Sequence, residues 1–346
     1  MKEDEFKREF RDRSIVLGEL RRVGESIISR ALVETGSPTL PLQSRVKDQD
    51  SAYNKISRKG YKDPFTEMTD LVAFRIITYL DSDIEPIVKK LRTCFEVDER
   101  GSVDKRNPEN VNIVGYRSNH LICKLGEGRA RLPEYDKITD ILFEIQIRTA
   151  LEHTWAEIEH KLNYKSETSL PRDLQRRFMV ISGTLELIDR ELSKITQESQ
   201  DYAKDVALGT KDTLTDALST TSIVASVESF AKKRSIEVRL NFANKDELND
   251  LVQELKDFEV DTVGKFQDFL SRIKHTHTEP GTNSNTIFGL VRIAMIAEDY
   301  KKYFRNSFKN NYLLLSDNLP QLTEASGDPN FRIEIEKMGI MIDDDF

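Results

Sequence analysis

Residues 140–149, DILFEIQIRT, alternate apolar and polar side chains with a period of two. A strand projects successive side chains to opposite faces, so Phe143, Ile145 and Ile147 share one face and Leu142, Glu144, Gln146 and Arg148 the other. A Glu, a Gln and an Arg in a row are not the pattern of a strand buried on both sides. Two arrangements fit: a half-exposed edge strand, or a polar floor to a cleft. LVAFRIITYL (71–80) and GYRSNHLICKL (115–125) read as two further strands. Helical spacing predicts helices over 4–34, 44–59, 83–94, 150–163 and 169–195. GSPTLP (36–41) breaks the first, Gly60 ends the second and Pro171 suits the first turn of the last.

Beyond residue 200 the pattern is mostly helical, over 201–230, 245–273 and 286–306. SIEVRLNF (235–242) is expected to be a strand and GDPN (327–330) a turn. Charge divides the chain at the same place. Residues 1–196 carry 34 basic and 34 acidic side chains, and residues 197–346 carry 18 and 26, which is the whole net charge of −8. An acidic second half is a poor generic partner for nucleic acid, because polyphosphate affinity needs clustered Lys and Arg. The expected organisation is a chemistry-bearing domain at 1–196 and a mostly helical accessory or regulatory domain at 197–346. No apolar run approaches ~18 residues, so no membrane span is expected. The start, MKEDEFKREF, has no apolar core like that of a secretory signal. Cys94 and Cys123 make no disulfide framework. A cytoplasmic protein is the expectation.

Several side chains point to chemistry. Tyr116, Ser118 and His120 share a strand face, and Tyr116 beside Gly115 can stack on a base. Asp70 stands at a strand entry, where it either caps a turn or serves a site. Arg75 lies in an apolar run, and a buried guanidinium needs a partner or a cleft. The basic run over 45–59 includes Arg45, Lys47, Lys55 and Arg58, which fit a phosphate-binding face, although helical cations are more often simply solvated. Together these residues fit one reaction class. Asp70 and Glu144 could hold Mg²⁺ against a polyphosphate while Lys and Arg neutralise it. No P-loop, nucleophile elbow, zinc-type HExxH or EF-hand loop occurs. Finally, Leu174, Phe178, Ile181, Leu185, Ile188, Leu192 and Ile195 step by 4 and 3 along one helix. That seam packs either on its own domain or on another copy.

Four segments, SRVKDQDSAYNKISRKG (44–60), DLVAFRI (70–76), GYRSNH (115–120) and EIQIRTALEHTWAEIEHKLNYK (144–165), resemble the RelA/SpoT synthetases, above all the small single-synthetase members. The likeness covers roughly residues 15–196. It implies an α+β fold, a mixed β-sheet flanked by helices and related to the nucleotidyltransferases. It implies transfer of the β,γ-pyrophosphate of ATP to the 3′-hydroxyl of GDP or GTP, releasing AMP. In that scheme Asp70 coordinates Mg²⁺ and Glu144 assists the metal and accepts the hydroxyl proton. Arg45 and Arg75 sandwich adenine, and Lys47, Lys55 and Arg58 bind the triphosphate. Tyr116 stacks on the acceptor guanine, with His120, Gln146, Arg148 and His153 lining the acceptor side. One departure stands out: PENVNIV (108–114) lacks the basic residues that small members carry before GYxSxH, the nearest being Lys105 and Arg106. An alternative acceptor is therefore the 3′ end of tRNA, as in toxin members, with the second domain as regulator. No HD dipeptide occurs, so no hydrolase half is expected. Homo-oligomerisation through the helix at 171–195 is a further expectation.

Overall fold

The computed structural model describes residues 2–104, 118–164, 171–239, 245–273, 286–308, 314–315 and 319–343. The chain forms two compact units, residues 1–196 and 197–346.

The first unit is built on a mixed sheet. Its strands are β1 (Gln43–Val46), β2 (Val72–Thr78), β3 (Glu96–Val97), β4 (Val103–Asp104), β5 (Asn119–Lys124) and β6 (Phe143–Thr149). The order is β1-β2-β6-β5-β3, with β4 also on β5; β2 and β6 run parallel and the other pairs antiparallel. Helices α1 (Glu3–Thr35) and α4 (Ile84–Cys94) bury their apolar stripes with one face of this sheet. That face carries Phe74 and Ile76 of β2, Leu121 and Cys123 of β5, and Phe143, Ile145 and Ile147 of β6. Phe74 meets Phe143 edge-on at 5.6 Å. The approach of α1 is close enough to require glycine, since a Cβ on Gly24 would stand 2.3 Å from Phe74 Cζ. The opposite face takes the polar residues of β6, so this strand floors a cleft rather than forming an edge.

The expected helix over 44–59 divides. Residues 43–46 pair with β2 as β1, and the helix α2 (Gln49–Lys59) starts only after Asp48. Asp48 caps it, accepting from Asp50 N–H at 3.1 Å and Ser51 N–H at 3.0 Å. Arg45 therefore lies on a strand and Lys47 in the link. A short α3 (Pro64–Glu67) precedes β2, and α5 (Glu127–Ala130) follows β5. After β6 come α6 (Ala150–Tyr164) and α7 (Arg172–Leu208), which runs 13 residues beyond the expected end at 195.

The second unit is helical: α8 (Thr220–Arg234), α9 (Lys245–Asp257), α10 (Val263–Ser271), α11 (Ile287–Lys302), α12 (Leu319–Ser326) and α13 (Phe331–Lys337), around one core that includes Phe266, Phe269, Leu290 and Tyr303. Residues 314–315 and 342–343 pair as β7 and β8. Of the expected strand at 235–242, residues 240–242 lie outside the described residues, and over 235–239 the structure shows an isolated bridge between Arg239 and Thr286. No described helix is long and apolar enough to cross a membrane.

Candidate active site

Strand register assembles the polar face. Gln43, Arg75, Gln146 and His120 form one row across four strands, and Arg45, Ala73, Glu144 and Ile122 form the next. Side chains paired in register share a face, so residues far apart in sequence become neighbours. A pocket of about 150 Å³ opens here, lined by Gln43, Ser44, Arg45, Ala73, Arg75 and Gln146. The two arginines expected to sandwich a base thus line one pocket.

Asp70 stands two residues before β2. Lys47 Nζ lies 2.7 Å from its Oδ2 and Lys55 Nζ 2.8 Å from its Oδ1. The Lys47 backbone N–H is itself fixed, donating to Leu71 O at 2.8 Å. Burial pushes the Asp70 carboxyl up, but the two ammonium groups outweigh it and hold the group below the usual carboxylate range. Glu144 shows the same contest. Burial raises it, yet His120 Nδ1 at 2.6 Å from Oε1 and Gln146 Nε2 at 2.9 Å from Oε2 keep it ionised, below its ordinary value. Asp70 is near enough that its charge pushes Glu144 the other way. The cleft thus holds two anionic carboxylates, Asp70 buried and Glu144 half-buried, that repel each other and are each stabilised by donors.

Arg75 Nη1 bonds Gln43 Oε1 and Glu157 Oε1, each at 3.2 Å. Glu157, on α6, gathers further charge: its Oε1 is 3.6 Å from Arg148 Nη2 and 3.9 Å from His153 Nδ1. Burial, then the charges of Arg148 and Arg75, hold the His153 imidazole below its usual range. Glu157 is absent from the sequence expectations. Its signals were its spacing of four from His153 and the need of Arg75 for a partner.

The structure brings Asp70, Lys47, Lys55, Arg45, Arg75, His120, Glu144, Gln146, Arg148 and His153 to the sheet face and its rim. Arg58 is exposed on the last turn of α2, three residues from Lys55. Tyr116, Lys105 and Arg106 lie outside the described residues. A divalent cation suits this donor set, because hard cations take oxygen ligands and the two carboxylates are ionised and mutually repelling. Among the described residues no cluster of three acidic, His or Cys side chains forms, so phosphate oxygens and water would complete the shell.

Residues 44–169 match the family model described as "Region found in RelA / SpoT proteins". The chain is 32% identical over 179 residues to GTP pyrophosphokinase YwaC of Bacillus subtilis (strain 168), covering 50% of this chain and 82% of that one. It is 33% identical over 171 residues to GTP pyrophosphokinase YjbM of the same organism, covering 48% and 75%. Among solved structures, small alarmone synthetase 1 from Bacillus subtilis aligns with TM-score 0.46 and 30% identity, over 57% of this chain and 99% of that one. The structure of that synthetase bound to its product pppGpp aligns with TM-score 0.45 and 28% identity, over 56% and 97%.

Proposed function

From the premise that this chain belongs to the RelA/SpoT family, as its identity to two GTP pyrophosphokinases over most of their length shows, we propose that its first unit is a GTP pyrophosphokinase. It transfers the β,γ-pyrophosphate of ATP to the 3′-hydroxyl of GDP or GTP, yielding (p)ppGpp and AMP. The observation that carries the site assignment is the pair of ionised, largely enclosed carboxylates Asp70 and Glu144 beside a pocket walled by Arg45 and Arg75.

The residues divide the work. Arg45 and Arg75 receive adenine; a guanidinium plane stacks well on an aromatic ring. Lys47 and Lys55, which pair with Asp70, bind the triphosphate, with Arg58 at the helix end. Asp70 and Glu144 would hold Mg²⁺, which when bound supplies charge neutralisation on the phosphate oxygens. Glu144 accepts the hydroxyl proton, and His120, already 2.6 Å away, orients the carboxylate for it. A base held below its usual pKa is a weak one, but pyrophosphoryl transfer depends more on alignment and charge than on base strength. Gln146, Arg148, His153 and Tyr116 serve the acceptor side.

Two further readings belong to this proposal. The stripe on α7 has Leu174, Ile181, Ile188, Leu192 and Ile195 exposed, which supports pairing of two copies through this helix. We infer that the second unit, which packs around an apolar core of its own, serves regulation. Incubation of the full chain with labelled ATP and GDP, GTP or deacylated tRNA tests the acceptor. Labelled (p)ppGpp with AMP is the expected result. Label on tRNA alone would overturn the guanine-nucleotide reading.

A further inference from the structure

We propose that Asp189 of α7 is a positioning residue for this active site, acting through Thr149 at the junction of β6 and α6. The proposal rests on the reading of the site as a pyrophosphate-transfer centre.

The junction separates two sets of site residues. Arg148 is the last site residue of β6, and His153 and Glu157 follow on α6. Thr149 lies between them and closes a reciprocal cap. Glu152 N–H donates to Thr149 Oγ1 at 3.1 Å, and Thr149 N–H donates to Glu152 Oε2 at 2.9 Å. This box sets where α6 begins and in which direction it leaves the sheet. Thr149 is fully buried and Asp189 is 1% exposed, so the polar atoms here must be satisfied internally.

A hydroxyl has one proton and two acceptor sites. The cap uses an acceptor site, which leaves the proton to be placed. Thr149 donates it to Asp189 Oδ2 at 2.6 Å. That bond locks the hydroxyl rotor with a lone pair aimed at Glu152 N–H. Asp189 thus fixes the cap, and the cap fixes the start of α6. One turn on, His153 and Glu157 share a helix face, and Glu157 holds Arg75 at 3.2 Å. A small rotation of α6 breaks that contact and moves the Arg75 guanidinium over its pocket. Asp189 is on α7, outside the sheet and outside EIQIRT, and nothing in its own sequence surroundings marks it.

The test compares Asp189→Ala, Asp189→Asn and Thr149→Val in the full chain, below the melting temperature of each. Asp189→Ala is expected to lower kcat/KM by on the order of tenfold or more, the cost of sub-ångström misplacement. Asp189→Asn keeps an oxygen to accept the Thr149 proton and is expected to stay within about threefold of wild type. Thr149→Val with Asp189→Ala is expected to be no worse than Asp189→Ala alone, because both remove one linkage. Phe10→Ala in α1, which thins the aromatic cluster with Phe6 and Phe65, lowers the melting temperature by packing alone and is expected to keep kcat/KM. Hydrogen exchange at the Glu152 amide reads the hold without turnover and is expected to quicken in Asp189→Ala. Wild-type kcat/KM and exchange in Asp189→Ala, an equal rate loss in Phe10→Ala at the same melting shift, or no rescue by Asn overturns the proposal. An inactive wild-type protein would overturn the function reading instead, and the exchange measurement would still decide the coupling.

Discussion

Replacing Asp70 by Asn keeps the shape of the side chain and removes one charge from a group of three. The side chains of Lys47, Asp70 and Lys55 are only 12%, 13% and 17% exposed, with nitrogen–oxygen distances of 2.7 and 2.8 Å. Solvent therefore screens them little, and the variant leaves two ammonium groups facing each other across a neutral amide. Breaking a buried pair by removing one partner costs about 3–5 kcal/mol, and the lower end applies where water still reaches the rim. A loss of about 3 kcal/mol corresponds to a melting temperature lower by about 6–12 °C for a unit of this size. The assay is thermal melting by circular dichroism in EDTA over a pH series. The sign follows from the direction of the shift. Because the folded carboxyl is held below its usual range, its stabilisation is fully present above that range and is lost as pH falls through the folded value. The gap between wild type and variant is thus widest near neutral pH and narrows in acid. In the same variant, ATP-dependent transfer is expected to fall by at least about 10²-fold. Equal melting temperatures at neutral pH, or a gap that widens in acid, would refute the placement of Asp70 as counter-charge to both lysines.

Gly24→Ala places a methyl group 2.3 Å from Phe74 Cζ and is expected to cost about 1–3 kcal/mol, read as a lower urea midpoint. An unchanged midpoint would mean that α1 does not approach β2 so closely. Burial pushes the Cys123 thiol up to about 12, so at pH 8 the folded protein is expected to show one quick thiol, Cys94, and none in Cys94→Ser. Two quickly labelled thiols in the folded wild type would contradict that. Ile181→Asp with Ile188→Asp puts charges on the exposed α7 stripe and is expected to convert an oligomer to monomer by light scattering. A monomeric wild type would remove this reading.

Much of the first unit was legible because strand alternation is a property of single residues. The parity of 143–149 separates Glu144, Gln146 and Arg148 from Phe143, Ile145 and Ile147 without reference to any partner, and these faces are the observed ones. The apolar run around Arg75 likewise marked a guanidinium in need of a partner. The boundary at Asp48 was less legible. Basic side chains are scattered over Arg45–Lys59, and basic composition does not distinguish a four-residue strand from the first turn of a helix. Only pairing with β2, which satisfies the backbone of 43–46, decided it. In the second unit, 235–242 has strand-like alternation, but a strand also needs a neighbouring ladder, and over the described residues 235–239 the bridge is Arg239 to Thr286.

The heptad along α7 shows the same division. Its spacing was plain, but whether it faced its own unit was not. The structure leaves most of it exposed, because α7 is held on this unit through one member of the heptad, Phe178 on Trp155, and through two side chains off it, Asp189 on Thr149 and Ser193 on Ser82.

By itself the sequence determined which side chains share a face, where apolar stripes run and which residue types are available for phosphate and metal chemistry. All of these follow from the fixed geometry of one strand or one helix. Tertiary structure alone decided register and cross-element contact: Arg75 beside Gln146, Lys47 and Lys55 on Asp70, Glu157 on Arg75 from 82 residues away, and Asp189 on Thr149 from 40. Such contacts depend on how whole faces bury against one another, and no local period encodes that alignment.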